Sequence, residues 1–135
     1  EIQPLVKMVR PHVAIVTMIA AAHLGFFRNL DEIARAKAEI FEGLEPEGAA
    51  VLNRDDARFK LLDKMAQAAG GQHAYGSGEN ARPTFKLVKC GLHADHSDIA
   101  ARVSGHDMIA RIGASGRHMV QNVLAVLGAA HLVGA

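Results

Sequence analysis

Apolar and polar positions along the chain follow two different periods. Residues 12–19, His-Val-Ala-Ile-Val-Thr-Met-Ile, form an unbroken apolar, β-branched run, the pattern of a strand buried on both faces, with its C-terminal end near Ala20. From Leu30 the period changes. At 100° per residue Ile40, Ile33, Leu44, Leu30 and Phe41 share one arc, while Asp31, Glu42, Arg35, Glu39 and Glu32 fill the opposite one, which predicts an amphipathic helix over 30–44. A turn at 45–48 and a short buried strand at 49–53 follow. Asp55 or Asp56 can then cap a helix running to about Ala69, with Phe59, Leu62, Met65 and Ala66 inward and Gly70-Gly71 ending it. Ahead of all this, Leu5, Val6, Met8 and Val9 predict a short helix before Pro11.

From Gln72 to Ile112 the pattern is one of loops and short strands, the strands over 84–89, 99–103 and 108–112, with 104–107 as a hairpin turn. A last helix spans about 117–133. After His118 its one titratable group is His131, and apolar residues point all round, so packing on several sides is expected. Strand and helix alternate in the first half. That rhythm predicts right-handed crossovers and an α/β fold: a mainly parallel sheet flanked by helices, with a small antiparallel β section.

One residue breaks the helical pattern of 30–44. Lys37 falls within the apolar arc, four residues after Ile33 and three before Ile40. A bare ammonium desolvated there would cost several kcal/mol, so the amine must snorkel, pair with an anion, lose its proton or be chemically modified. Strand C-terminal ends are where open α/β sheets bind ligands. His23 lies just past such an end, and with Lys37 it makes a candidate two-point metal site.

Composition narrows the class further. Half of the 135 residues are apolar and the formal charge is +1, which gives no general pull toward nucleic acid or anionic membrane. No apolar run is long enough to span a bilayer, and no signal peptide precedes the first strand. The single cysteine, Cys90, excludes an internal disulfide framework and fits a reducing, cytoplasmic setting.

Three stretches resemble the central domain of the Mur ligases: Val16-Thr17-Met18-Ile19-Ala20-Ala21-Ala22-His23-Leu24, Ile33 to Leu44, and Val51-Leu52-Asn53-Arg54-Asp55-Asp56. Within that family the likeness is nearest to the ligases that add D-alanyl-D-alanine to UDP-N-acetylmuramoyl-tripeptide in peptidoglycan synthesis. The resemblance implies that Lys37 is carbamylated, an anionic oxygen ligand suited to a hard cation, and that it holds Mg2+ together with His23. Asn53 matches the Asn of an Asn-x-Asp-Asp signature, whereas helix capping accounts for Asp55 and Asp56. Gly116-Arg117-His118-Met119-Val120-Gln121-Asn122 is similar to the family's Gly-x-His-Asn-x-x-Asn motif, with Met119 in place of asparagine. It implies that His118 and Asn122 border the adenosine of ATP, while the residues alone allow Ser115 to cap the helix and Asn122 to satisfy a neighbouring loop.

The implied chemistry is ATP-dependent amide formation through an acyl phosphate, serving cell-wall synthesis, cell shape and division. No Gly-x-x-x-x-Gly-Lys-Ser/Thr occurs in these residues. The chain therefore reads as residues 1–135 of a central ATP-binding domain lacking the upstream P-loop and the C-terminal domain, inactive in isolation. A folylpolyglutamate synthase and a non-catalytic α/β binding module are the alternatives. Cys90-Gly91-Leu92-His93-Ala94-Asp95-His96 gathers thiolate, imidazole and carboxylate, but zinc sites usually pair ligands from two separated elements. The run reads as a polar surface hairpin.

Overall fold

The computed structural model describes residues 2–20, 29–69, 71–76 and 83–135. Helix α1 (Ile2–Val9) leads into strand β1 (Val13–Val16), followed by helix α2 (Leu30–Ala38), a 3-10 turn (Glu39–Gly43) and strand β2 (Ala49–Asn53). Helix α3 (Phe59–Gln67), strands β3 (Gly71–Gly76), β4 (Phe85–Leu92), β5 (Ser97–Val103) and β6 (His106–Ile112), and helix α4 (Arg117–Leu132) complete the order. All six strands join one sheet in sequential order β1-β2-β3-β4-β5-β6. The first four are mutually parallel and the last three form an antiparallel meander. The expected α/β architecture, mainly parallel with an antiparallel section, is what the chain adopts.

Strand alternation sorts the core into two layers. Ala14 and Val16 of β1, Ala50 and Leu52 of β2 and Ala74 of β3 face α2 and α3, meeting Ile33, Ala34, Phe41, Leu62 and Ala66. Val51, Tyr75, Phe85, Leu87, Ile99, Ala101 and Val103 face the other way, against Val120, Leu124 and Ala125 of α4. Gly128 permits that second contact. A Cβ there would stand 2.2 Å from the Phe85 ring, so only glycine lets the helix lie this close to β4.

Four expectations need correction. The first strand ends at Val16 rather than near Ala20, because beyond its last ladder pair with Leu52 the carbonyls of Thr17 and Met18 accept from side chains instead. The helix expected over 30–44 is α-helical only to Ala38. In the 3-10 turn that follows, each residue advances about 120° instead of 100°, and Phe41 is buried while Ile40 and Leu44 are half-buried. The buried apolar side chains are thus Ile33, Ala34, Ala38 and Phe41, while Lys37, on the turn between them, is exposed and reaches the Met18 carbonyl. Helix α4 is packed on one side, not several: Val120, Leu124, Ala125 and Gly128 are buried, but Val126 is 59 % exposed. Finally, β3 occupies a stretch that reads as loop, since Gly-Gln-His-Ala-Tyr-Gly carries little strand signal of its own.

Candidate functional site

At the C-terminal edge of the parallel strands, side chains from distant parts of the chain converge on the backbone just after β1. The Thr17 carbonyl accepts from Asn53 Nδ2 at 3.0 Å and from the Tyr75 hydroxyl at 3.0 Å. The next carbonyl, of Met18, accepts from Lys37 Nζ at 3.2 Å. One residue further, the Ile19 N–H donates to Asp56 Oδ2 at 2.9 Å. Three successive residues are therefore held by groups from β2, β3, α2 and the β2–α3 turn. This satisfies backbone groups that have left the ladder.

The β2–α3 turn is itself built by side-chain acceptors. Asn53 Oδ1 accepts from the Asp55 N–H at 2.9 Å, and Asp56 Oδ1 from the Arg58 N–H at 2.8 Å. Asp56 does not occupy the N-cap position of α3, which is Arg58 and makes no side-chain cap bond. Its two carboxylate oxygens instead tie the turn to the β1 exit, a role that exceeds the capping expected from sequence. Tyr75 is fully buried, and burial first, then the nearby Asp56 and Asp55 carboxylates, push its phenol well above the usual tyrosine range. It stays a neutral donor to Thr17.

Helix α4 reaches the same edge. Gln121 Nε2 lies 3.5 Å from Asp55 Oδ2, and Gln121 Oε1 is buried with no hydrogen-bond partner among the described residues. Gly76, at φ +151°, makes room for that carboxylate: a Cβ on it would stand 2.7 Å from Asp55 Oδ2. The first turn of α4 carries no side-chain cap, since Gly116 is at the N-cap and the Ser115 hydroxyl donates to the His93 carbonyl at 2.6 Å. That corrects the reading of Ser115 as the cap. Open N–H groups at a helix start attract anions.

Of the residues singled out from sequence, Lys37 and Asn53 meet the β1 exit directly. His118 and Asn122 are exposed on the first turns of α4, the end that Gln121 joins to the turn after Asn53. Asn122 satisfies no neighbouring loop among the described residues. His23 lies outside the described residues. Lys37 lays its stem along a cleft of 150 Å³ shared with Ile2, Ile15, Val16, Thr17 and Ile40, and its amine reaches the strand end while the residue remains exposed. Sequence reasoning missed Tyr75 and Gln121. The signal for Tyr75 was slight: a lone tyrosine in a stretch without strand periodicity.

A parallel sheet whose C-terminal edge is ringed by an exposed lysine, an asparagine and an uncapped helix start has the outline of a ligand-binding edge of an open α/β sheet. Residues 1–130 match the Mur ligase middle domain family, and the chain belongs to that family. It is 29% identical over its whole length to the UDP-N-acetylmuramoyl-tripeptide–D-alanyl-D-alanine ligase of Escherichia coli K12, spanning 29% of that protein. The crystal structure of MurF from Acinetobacter baumannii superposes with a TM-score of 0.92 at 28% identity, covering all of this chain and 29% of that one. MurF ligase from Thermotoga maritima, solved in complex with ADP, shares the fold at a TM-score of 0.81 and 20% identity, over 98% of this chain and 30% of that one. The chain thus spans less than a third of the length of these relatives.

Proposed function

We propose that these residues are the central domain of an ATP-dependent ligase that joins D-alanyl-D-alanine to UDP-N-acetylmuramoyl-tripeptide in cytoplasmic peptidoglycan synthesis. The observation that carries this reading is the Lys37 amine drawn onto the Met18 carbonyl at the C-terminal end of β1. Likeness over the whole chain to D-alanyl-D-alanine-adding ligases supports the substrate class.

In the reaction, the terminal carboxylate of the tripeptide takes the γ-phosphoryl group of ATP, releasing ADP. The amine of D-alanyl-D-alanine then displaces phosphate from the acyl phosphate, losing a proton as the amide forms. His118 and Asn122, on the exposed first turns of α4, would border the adenosine. Asn53 holds the β1 exit in place for the site through Thr17, with Tyr75 supporting the same carbonyl.

Mg2+ would be held by His23 and by Lys37 as its carbamate. The fit is chemical: the exposed Lys37 amine has room for carbon dioxide, and the resulting oxygens suit a hard cation where an amine does not. When bound, the ion would offset the negative charge that opposes phosphoryl transfer. The 135 residues contain no P-loop motif, and we propose that alone they turn over no substrate.

The test is ATP-dependent phosphate release by the longer protein carrying these residues. Release should require both UDP-N-acetylmuramoyl-tripeptide and D-alanyl-D-alanine. Lys37→Ala should lower kcat by at least about tenfold to a hundredfold, the loss typical of disturbed metal coordination. The native protein in bicarbonate should gain the mass of one carbon dioxide, and Lys37→Ala should not. Turnover with a folate substrate instead, or full activity of Lys37→Ala, would overturn the reading.

A further inference from the structure

A second cluster of ligating side chains stands at the turn between β4 and β5, in the antiparallel section. The turn is closed by the His93 N–H donating to the His96 carbonyl at 2.9 Å. It is also tied to the loop before α4. Besides the Ser115 bond to the His93 carbonyl, the buried Ser97 hydroxyl donates to the Ala114 carbonyl at 2.9 Å. Two imidazoles are thus mounted on a held backbone.

Their geometry converges on one carboxylate oxygen. Nε2 of His93 is 3.4 Å and Nε2 of His96 is 3.8 Å from Asp98 Oδ2. The rings stack with centroids 4.3 Å apart at 18°, and one ligating atom from each of the three residues fits within a 4.8 Å span. Around a tetrahedral ion with bonds of about 2.0–2.2 Å, ligand atoms stand roughly 3.3–3.6 Å apart. Binding one ion requires the stacked rings to turn out of their near-parallel arrangement until both Nε2 lone pairs meet at one point.

The surrounding groups agree with the assignment. Asp95 Oδ1 lies 2.6 Å from His96 Nδ1, the carboxylate–imidazole pairing that leaves Nε2 free to bind a metal and sets its direction. Arg111 makes its shorter bond to the other oxygen of Asp98, 2.8 Å from Nε to Oδ1 against 3.4 Å from Nη2 to Oδ2. Cys90 is not a member, since its side chain packs with the core beneath α4. The donor set is two imidazoles and one carboxylate, which favours zinc-class ions over Mg2+ or Ca2+.

We propose that His93, His96 and Asp98 form a binding site for one zinc-class divalent ion, with a fourth position open to water or a ligand. The sequence pattern concealed it because it offered Cys90 and Asp95 as donors. Folding turns Cys90 to the core, sets Asp95 behind His96 and brings in Asp98. The proposal is independent of the ligase reading, since no residue of the β1 exit takes part.

The experiment titrates the metal-free 135-residue chain with Zn2+ by calorimetry and with Co2+ by visible absorption, thermal unfolding confirming that each variant is folded. One equivalent should bind, with the intense visible bands of low-coordinate Co2+. The triple variant H93A/H96A/D98A should lose that equivalent, and D95N should weaken it by about ten- to a hundredfold, as expected of an orienting carboxylate. H106A should leave it unchanged. Binding that survives the triple variant, binding lost in H106A, or no uptake of either ion would overturn the proposal.

Discussion

The parallel part and the antiparallel meander belong to one sheet but hold their shape by different means. In β1, β2 and β3 successive residues alternate between two buried layers, so Leu52 and Val51, adjacent in sequence, are both wholly inaccessible. Among the described residues, only one face of the meander is covered. Ile99, Ala101 and Val103 pack beneath α4, while Ile109 on the opposite face is 87 % exposed. Polar contacts divide in the same way. Around the β1 exit they join backbone groups to side chains 19 to 58 residues away, whereas in the meander Arg102–Asp107 and Arg111–Asp98 pair exposed groups across neighbouring strands. Two-sided burial makes an edge where groups from distant parts of the chain can be assembled, and one-sided burial leaves open-face positions such as Ile109 that change at little cost.

The sharpest test of this contrast is Leu52→Ala. It should lower unfolding free energy by about 2–5 kcal/mol, as expected for a cavity in a close-packed core, measured by urea denaturation. Asp56→Ala comes next, at about 1–3 kcal/mol, because it leaves the Ile19 and Arg58 N–H groups without their acceptor. Tyr75→Phe should cost less, about 0.5–1.5 kcal/mol, since the Thr17 carbonyl keeps its bond from Asn53.

A pH scan separates the two parts in another way. His73, on β3, stacks on Phe85 with centroids 5.8 Å apart. Burial, and then the charge of His131, hold its pKa below the usual 6.5. The unfolded chain therefore takes up this proton first. Stability should fall as pH drops below about 6.5 and level off below the native value. His73→Gln should flatten that part of the melting-temperature profile, and an unchanged profile would place the dependence elsewhere. The smallest effect is expected on the open face of the meander, where Ile109→Ala should shift stability by no more than about 0.5 kcal/mol. A loss comparable to that of Leu52→Ala would erase the distinction between the two parts.

Local pattern was enough for much of the fold. The apolar run at the first strand, the amphipathic face of α2 and the hairpin after Val103, whose turn is Ser104-Gly105 rather than 104–107, each depend on neighbours within a few residues, and periodicity records such neighbours directly. The sequence also singled out Lys37 and Asn53, whose side chains donate to the Met18 and Thr17 carbonyls at the β1 exit. Their partners were not legible. That Lys37 would meet the Met18 carbonyl, that Tyr75 and Asn53 would share Thr17, and that Asp98 rather than Cys90 would join His93 and His96 all depend on strand register and helix rotation. Those are settled when the whole core packs, because a strand shifted by one residue or a helix tightened into a 3-10 turn sends every later side chain in a new direction.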